Sequence, residues 1–301
     1  MTKVKIVEVG LRDGLQNETT NLTVNQRFDL LAKLIDAGVK NFEIGAFVSA
    51  EWVPQMAVTS KLVKKYLTSP LNKKEFSASV LVPNEKGMLQ AIEAGVKEVA
   101  IFGACSETFS KKNINCTIDE SFERFEAVMK LAKKYKIKVR GYLSTCFGCP
   151  FEGRISENKV VELAKRMNDL GVYEISIGDT IGIANAGQVQ SVFKKLLKVI
   201  PANKLAGHFH DTRGQALVNI FAAYEIGIRT FDSSIAGLGG CPYAPGATGN
   251  VATEDVVFMF EGMDVQTNLD LKKLVKTHRW LQPKMDHLLS SKVGRIGLGK
   301  L

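Results

Sequence analysis

Hydrophobic positions in the 301-residue chain follow two alternating rhythms: short β-branched runs, and longer stretches where apolar residues recur every three or four positions. The short runs predict eight strands: Val4 to Val9, Asn41 to Phe47, Phe76 to Val82, Glu98 to Gly103, Lys138 to Ser144, Tyr173 to Gly178, Leu205 to His210 and Thr230 to Ile235. The helical period predicts helices over Asn25 to Ala37, Val53 to Leu67, Glu85 to Ala94, Glu120 to Tyr135, Ser156 to Leu170, Asn185 to Val199, Gln215 to Ile226 and Thr253 to Glu261. Several of these end on a glycine (Gly38, Gly95, Gly171, Gly227), which accepts the left-handed turn that closes a helix before the next strand.

Eight βα units over about 260 residues match the size of an α/β (β/α)8 TIM barrel. An open doubly wound sheet would need a Gly-rich phosphate loop after the first strand. The turn there reads Gly10-Leu-Arg-Asp-Gly14-Leu-Gln16 instead. The expected organisation is a catalytic barrel over residues 1–263 and a C-terminal helical extension over 264–301 packed on it. Leu269, Leu271, Leu274, Val275 and Leu281 of that extension would cap the barrel or meet a second subunit, which favours a homodimer or a higher homo-oligomer.

Composition changes this picture little: 45% hydrophobic and 24% charged residues are globular values. Apolar runs such as Ala78 to Val82 fall far short of the roughly 20 residues a membrane span needs. Five scattered cysteines do not form a disulfide framework, so the expected setting is cytoplasmic. Cys146-Phe-Gly-Cys149 has redox spacing without a second Cys pair or the helix-start context of a thioredoxin-type site. The net charge of +9 suits an anionic partner. Its lysines, however, come in pairs along helices, which reads as solvated faces, and no nucleic-acid or membrane partner is expected.

Candidate chemistry gathers where the strands end. His208 and His210, two of only four histidines, are i and i+2 on one strand and therefore share a face, with Phe209 on the other. In a barrel the C-terminal strand ends build one site. Reading off those ends brings together Arg12, Asp13 and Gln16 after strand one, Glu43 in strand two, Tyr142 and Ser144 in strand five, and Asp179 and Thr180 after strand six. Strand seven adds His208 and His210, and the loop after strand eight adds Cys241 and Asn250. One carboxylate and two imidazoles, with room for amide, substrate and water oxygens, suit Mg2+ or Mn2+ better than Zn2+. Adjacent side chains on a strand end diverge, so Arg12 and Asp13 are expected not to pair with each other. Cys241 lies in the glycine-rich Gly237 to Asn250 segment, a setting for a mobile reactive group.

Six segments carry a family resemblance: Val7 to Glu18, Phe47 to Met56, Lys111 to Cys116, Gly178 to Gly182, His208 to Thr212 and Gly237-Leu-Gly-Gly-Cys-Pro-Tyr-Ala-Pro-Gly246. Together they resemble the 3-hydroxy-3-methylglutaryl-CoA lyases, within a superfamily of metal-dependent TIM barrels. The Cys-Pro-Tyr-Ala loop points to the lyases. The resemblance implies metal ligands at Asp13, His208, His210 and Asn250, an enolate-stabilising Arg12, a loop cysteine at Cys241, and supporting carboxylates at Glu43 and Asp179. It implies retro-Claisen cleavage of a CoA thioester; Lys111, Lys112 and Asn113, after strand four, are candidate contacts for the CoA phosphates. Leu11 departs from a usual Pro, and Ile44-Gly45-Ala46 from a Thr-Thr-Ser-like run. The latter is expected to border the pocket and alter the acyl group accepted. Claisen condensation of acetyl-CoA with a 2-oxo acid is the alternative on the same scaffold.

Overall fold

The computed structural model describes residues 2–240 and 249–299. Eight parallel strands, β1 (Lys5–Glu8), β2 (Asn41–Ala46), β3 (Ser77–Leu81), β4 (Glu98–Ala104), β5 (Lys138–Ser144), β6 (Ile175–Asp179), β7 (Leu205–Phe209) and β8 (Thr230–Ser233), pair in sequence order. The barrel closes where β1 meets β8, with Lys5 opposite Thr230 and Glu8 opposite Ser233. The (β/α)8 expectation holds.

Outer helices are α1 (Val24–Asp36), α2 (Thr59–Leu67), α3 (Glu85–Glu93), α4 (Glu107–Ile114), α5 (Ile118–Tyr135), α6 (Glu157–Asp169), α7 (Ala186–Leu196), α8 (Ala216–Glu225) and α9 (Thr253–Glu261). Local side-chain chemistry sets their starts. Thr23 with Gln26, Thr117 with Glu120, and Asn185 with Gln188 form reciprocal capping boxes that satisfy otherwise orphaned N–H groups. Helix α5 accordingly starts two residues before the sequence-predicted Glu120, at its cap. The sequence reading missed α4 altogether, because only Phe109 and Ser110 of its eight residues are buried and the apolar period is faint. Its start was nevertheless signalled by Ser106, whose side chain accepts from Phe109 N. The predicted Val53 to Leu67 helix is broken, a 3-10 turn over Pro54–Met56 preceding α2.

Beyond α9 the chain adds α10 (Leu271–Leu281) and α11 (Lys292–Ile296). Leu274 and Leu281 on α10 are fully buried, and Lys273 Nζ reaches Asp36 at the end of α1. Glu254, at the start of α9, ties this region to the barrel mouth: its carboxylate accepts from Ala236 N at 2.8 Å and contacts His278 Nδ1 at 3.1 Å. Cys146 and Cys149 do not face each other. Cys146 Sγ lies 3.8 Å from Cys105 Sγ, and Cys149 donates to Ser106 Oγ, all of them buried. Among the described residues, no helix is long and apolar enough to cross a membrane.

Strand alternation gives the barrel a charged interior. Arg140, Tyr142, Ser176, His208 and Asp232 point inward and are buried, where a barrel lumen more often holds branched aliphatics. Glu8 takes the outward parity and is fully buried, its carboxylate accepting from Gly10 N and Ile235 N, both at 2.8 Å, and meeting Thr253 Oγ1 at 2.6 Å. Burial raises its pKa from 4.5 to about 7 in spite of these hydrogen bonds. The folded protein therefore holds the Glu8 proton more tightly than the unfolded chain. Stability is full below the unfolded pKa and falls as pH rises towards 7, by about 3 kcal/mol. Glu8→Gln, which keeps the acceptor and supplies a permanent donor to Thr253, is expected to flatten that part of the melting temperature versus pH profile. An unchanged slope would show that Glu8 does not govern it.

Candidate active site

The segment after β1 is not an extended strand end but a turn of π-helix over Gly10–Gly14, which winds Arg12 and Asp13 onto the rim of the barrel mouth. That winding corrects the expectation that the two side chains diverge: Arg12 Nη1 donates to Asp13 Oδ1 at 2.5 Å. Arg12 Nε donates to Glu43 Oε2, also at 2.5 Å, and Tyr142 Oη lies 3.3 Å from the same oxygen. No described hydrogen bond uses Arg12 Nη2. Burial works against the guanidinium's charge, but Glu43 and Asp13 outweigh it and hold Arg12 protonated. Burial also opposes the Asp13 charge, yet Arg12 and the two imidazoles hold its carboxyl well below the usual range. Glu43 goes the other way: fully buried, with Oε1 lacking a hydrogen-bond partner among the described residues, its pKa is raised despite Arg12.

His208 and His210 leave β7 on the same face, ring centroids 5.2 Å apart. Their Nε2 atoms lie 3.8 and 3.9 Å from Asp13 Oδ2. The three donor atoms sit within 4.8 Å of one another. Asn250 donates from Nδ2 to Asp13 Oδ2 at 2.8 Å, and rotation of its amide would present Oδ1 there instead. Asp232 Oδ2 lies 3.2 Å from His208 Nδ1, which places a ring proton on Nδ1 and leaves Nε2 as the nitrogen turned towards Asp13, where it could ligate a cation. One anionic oxygen and two imidazole nitrogens, one of them backed by a carboxylate, fit a divalent cation.

These groups line one end of a cavity of about 140 Å³ with Gln16, Asn17, Tyr142 and Ser144, while Phe102, Phe109 and Asn113 line its outer wall. Of the sequence-predicted residues, Arg12, Asp13, Gln16, Asn113, Tyr142, Ser144, Thr180, His208 and His210 thus meet in one pocket. Five do not line it. Glu43 lies beneath Arg12. Asp179 has the outward parity of β6, opposite to Ser176 and Gly178, and its carboxylate accepts from Ile183 N and Ala184 N, both at 3.0 Å, so it pins the following loop. Lys111 and Lys112 are exposed on α4. Asn250 is buried behind Asp13. The Ile44 to Ala46 run is not at the pocket either: Ile44 points outward to a separate crevice with Val63 and Tyr66. Cys241 lies outside the described residues.

Three contributors escaped the sequence reading. Asp232 and Arg140 were hidden inside strands that read as ordinary barrel walls. The parity of Arg140 with Tyr142 and Ser144, two residues apart each time, was the available signal. The third is Glu18, whose Oε1 accepts from Gly239 N at 3.0 Å and whose Oε2 meets His287 Nε2 at 2.6 Å. It fastens the start of the glycine-rich loop to the C-terminal segment. Gly239 holds φ +124°, and a Cβ there would meet Asn250 Nδ2 at 2.8 Å, so the close approach of loop and ligand candidate requires glycine.

A family model described as HMGL-like matches residues 3–281. The chain belongs to the HMGL-like family. Among curated relatives, the hydroxymethylglutaryl-CoA lyase of Pseudomonas mevalonii is 49% identical over 276 residues, covering 92% of this chain and 90% of the relative. The crystal structure of hydroxymethylglutaryl-CoA lyase from Pseudomonas aeruginosa superposes with a TM-score of 0.95 at 43% identity, covering 100% of this chain and 99% of that one. An HMG-CoA lyase from Acinetobacter baumannii, solved in complex with coenzyme A and 3-methylmalate, gives 0.93 at 37% identity over 99% and 96% of the two chains. This HMGL-like chain therefore shares its whole architecture, C-terminal helices included, with the lyases.

Proposed function

We propose that this protein is a carbon–carbon lyase that cleaves 3-hydroxy-3-methylglutaryl-CoA to acetyl-CoA and acetoacetate, using Mg2+ or Mn2+ held by Asp13, His208, His210 and Asn250. The observation that carries this reading is the meeting of Asp13 with both imidazoles directly beside the Arg12 guanidinium. A divalent cation held by Asp13, His208, His210 and Asn250 would supply Lewis acidity to the substrate's oxygens. Asp13, which lines the pocket, takes the hydroxyl proton. The C3–O bond becomes a carbonyl as C2–C3 breaks, and the electron pair passes into the thioester enolate. Arg12 meets that charge with its Nη2 edge, since Nε and Nη1 are committed to Glu43 and Asp13. Glu43 and Asp179 act by support, Glu43 aiming Arg12 and Asp179 fixing the loop after β6. Cys241 then protonates C2 of the enolate, completing acetyl-CoA while acetoacetate departs.

Phe102 and Phe109 offer apolar wall and Asn113 an amide to the pantetheine arm, and Gln16, Tyr142 and Ser144 offer polar contacts to the acyl end. Lys111 and the overall +9 charge favour the CoA phosphates. The Ile44 to Ala46 departure, turned away from the pocket, gives no reason to expect an acyl group other than methylglutaryl. The test is incubation with 3-hydroxy-3-methylglutaryl-CoA, with and without EDTA, assaying acetoacetate. Cleavage abolished by EDTA and restored by Mg2+ or Mn2+ is expected, and absence of cleavage with either metal rejects the reading. Cys241→Ser is expected to lower kcat more than it raises KM, read from initial rates, since a hydroxyl is a far weaker acid than a thiol. Unchanged kcat would reduce Cys241 to a packing residue.

A further inference from the structure

The pocket rests on a continuous hydrogen-bonded floor that crosses the barrel lumen. Arg140 stands at its centre, fully buried. Its Nε donates to Glu174 Oε1 at 2.9 Å, Nη1 to Tyr142 Oη at 2.8 Å and Nη2 to Asp232 Oδ1 at 2.8 Å. We propose that Arg140 and Asp232 are positioning residues for the cleavage: through Asp232 they decide which nitrogen of His208 faces Asp13, and through Tyr142 they hold the Glu43–Arg12 pair in place.

The argument is one of donor directions. A guanidinium only donates. Its bond to Tyr142 Oη therefore fills an acceptor site on that oxygen and leaves the phenol proton to be given away, and Glu43 Oε2 is the acceptor within reach at 3.3 Å. The same Glu43 oxygen accepts a hydrogen bond from Arg12 Nε. On the other branch, Nη2 occupies Asp232 Oδ1, so Oδ2 is left to accept from Ser176 Oγ at 2.6 Å and from His208 Nδ1 at 3.2 Å. With its proton held on Nδ1, His208 presents Nε2 as the lone-pair face, the only form in which it is a ligand on that side. The guanidinium also lies 4.9 Å from the Tyr142 ring centroid, and Arg12 lies 5.3 Å from the same centroid, so one ring spaces both arginines. Tyr142, Ser176 and His208 of the floor line the pocket, whereas Arg140 and Asp232 do not and act on it through them.

This inference rests on the lyase reading for its turnover arm alone, because metal binding is measured without substrate. Mn2+ affinity of the parent and of Asp232→Asn is read by electron paramagnetic resonance, beside kcat and KM at limiting and saturating Mn2+. Asp232→Asn is expected to bind Mn2+ roughly 10–100-fold more weakly, the usual cost of losing an outer partner of a ligating histidine. Saturating Mn2+ should restore most of its turnover, which a merely structural defect would not allow. Arg140→Lys keeps the charge and thus the fold, yet one ammonium cannot serve Glu174, Tyr142 and Asp232 together. It is expected to lower kcat by about 100-fold through misplacement of Arg12, with weaker Mn2+ binding as well. Asp232→Asn binding Mn2+ as tightly as the parent, or Arg140→Lys with parental kcat and Mn2+ affinity, overturns the proposal. A parent that binds Mn2+ but cleaves nothing instead overturns the lyase reading and leaves the Asp232 comparison valid.

Discussion

Arg12→Met is expected to lower kcat for 3-hydroxy-3-methylglutaryl-CoA by about 10³-fold, the scale of losing a preorganised donor to a developing oxyanion. Mn2+ affinity should stay close to the parent's. The split follows from geometry. Arg12 donates to Asp13 Oδ1, whereas Asp13 Oδ2 is the oxygen turned towards His208 and His210. Methionine fills most of the side-chain volume without a charge, and Glu43, whose pKa burial already raises, can take up a proton when its partner is gone. The fold is thus expected to survive, which a cooperative melt will check. Parallel losses of kcat and Mn2+ affinity would instead make Arg12 a brace for Asp13.

His208→Ala should weaken Mn2+ binding by more than about 100-fold, since outer partners of a ligating histidine alone are worth 10–100-fold. Activity should fall with it and return only in part at high Mn2+. His210→Ala is expected to match it, because both Nε2 atoms stand at nearly the same distance from Asp13 Oδ2. The two differ in what they leave behind. Removing His208 strips Asp232 of one hydrogen-bond donor but leaves Arg140 and Ser176 in place, so no bare charge is stranded in the lumen. His210 Nδ1 has no hydrogen-bond partner among the described residues, so its removal disturbs no hydrogen bond at that atom. Metal content unchanged in either variant would refute the ligand assignment.

Much of this protein was legible along the chain because barrel strands and helices announce themselves by period. The eight apolar runs place all eight strands within one or two residues, and the i, i+2 spacing of His208 and His210 by itself puts two imidazoles on one face. The strand-end rule then gathered Arg12, Asp13, Tyr142 and Ser144 into a single site. Two residues fell outside the pocket for different reasons: Asp179 closes β6 one residue out of phase with the lumen, and Glu43, beneath Arg12, sits one layer deeper than the candidate ligands.

What the sequence determined without help is the repeating architecture and which candidate groups stand at the strand ends, since both depend on local spacing. The tertiary structure alone decided how charge is handled there. The winding of Gly10–Gly14 pairs Arg12 with Asp13, and Arg140 on β5 meets Asp232 on β8 only because the sheet closes on itself. Apart from the adjacent Arg12–Asp13 pair, contacts of the site such as Arg12–Glu43 and Asp13–Asn250 join residues 31 and 237 positions apart. A low-dielectric lumen makes each of them matter, and no periodic pattern along a chain encodes which partner will stand across it.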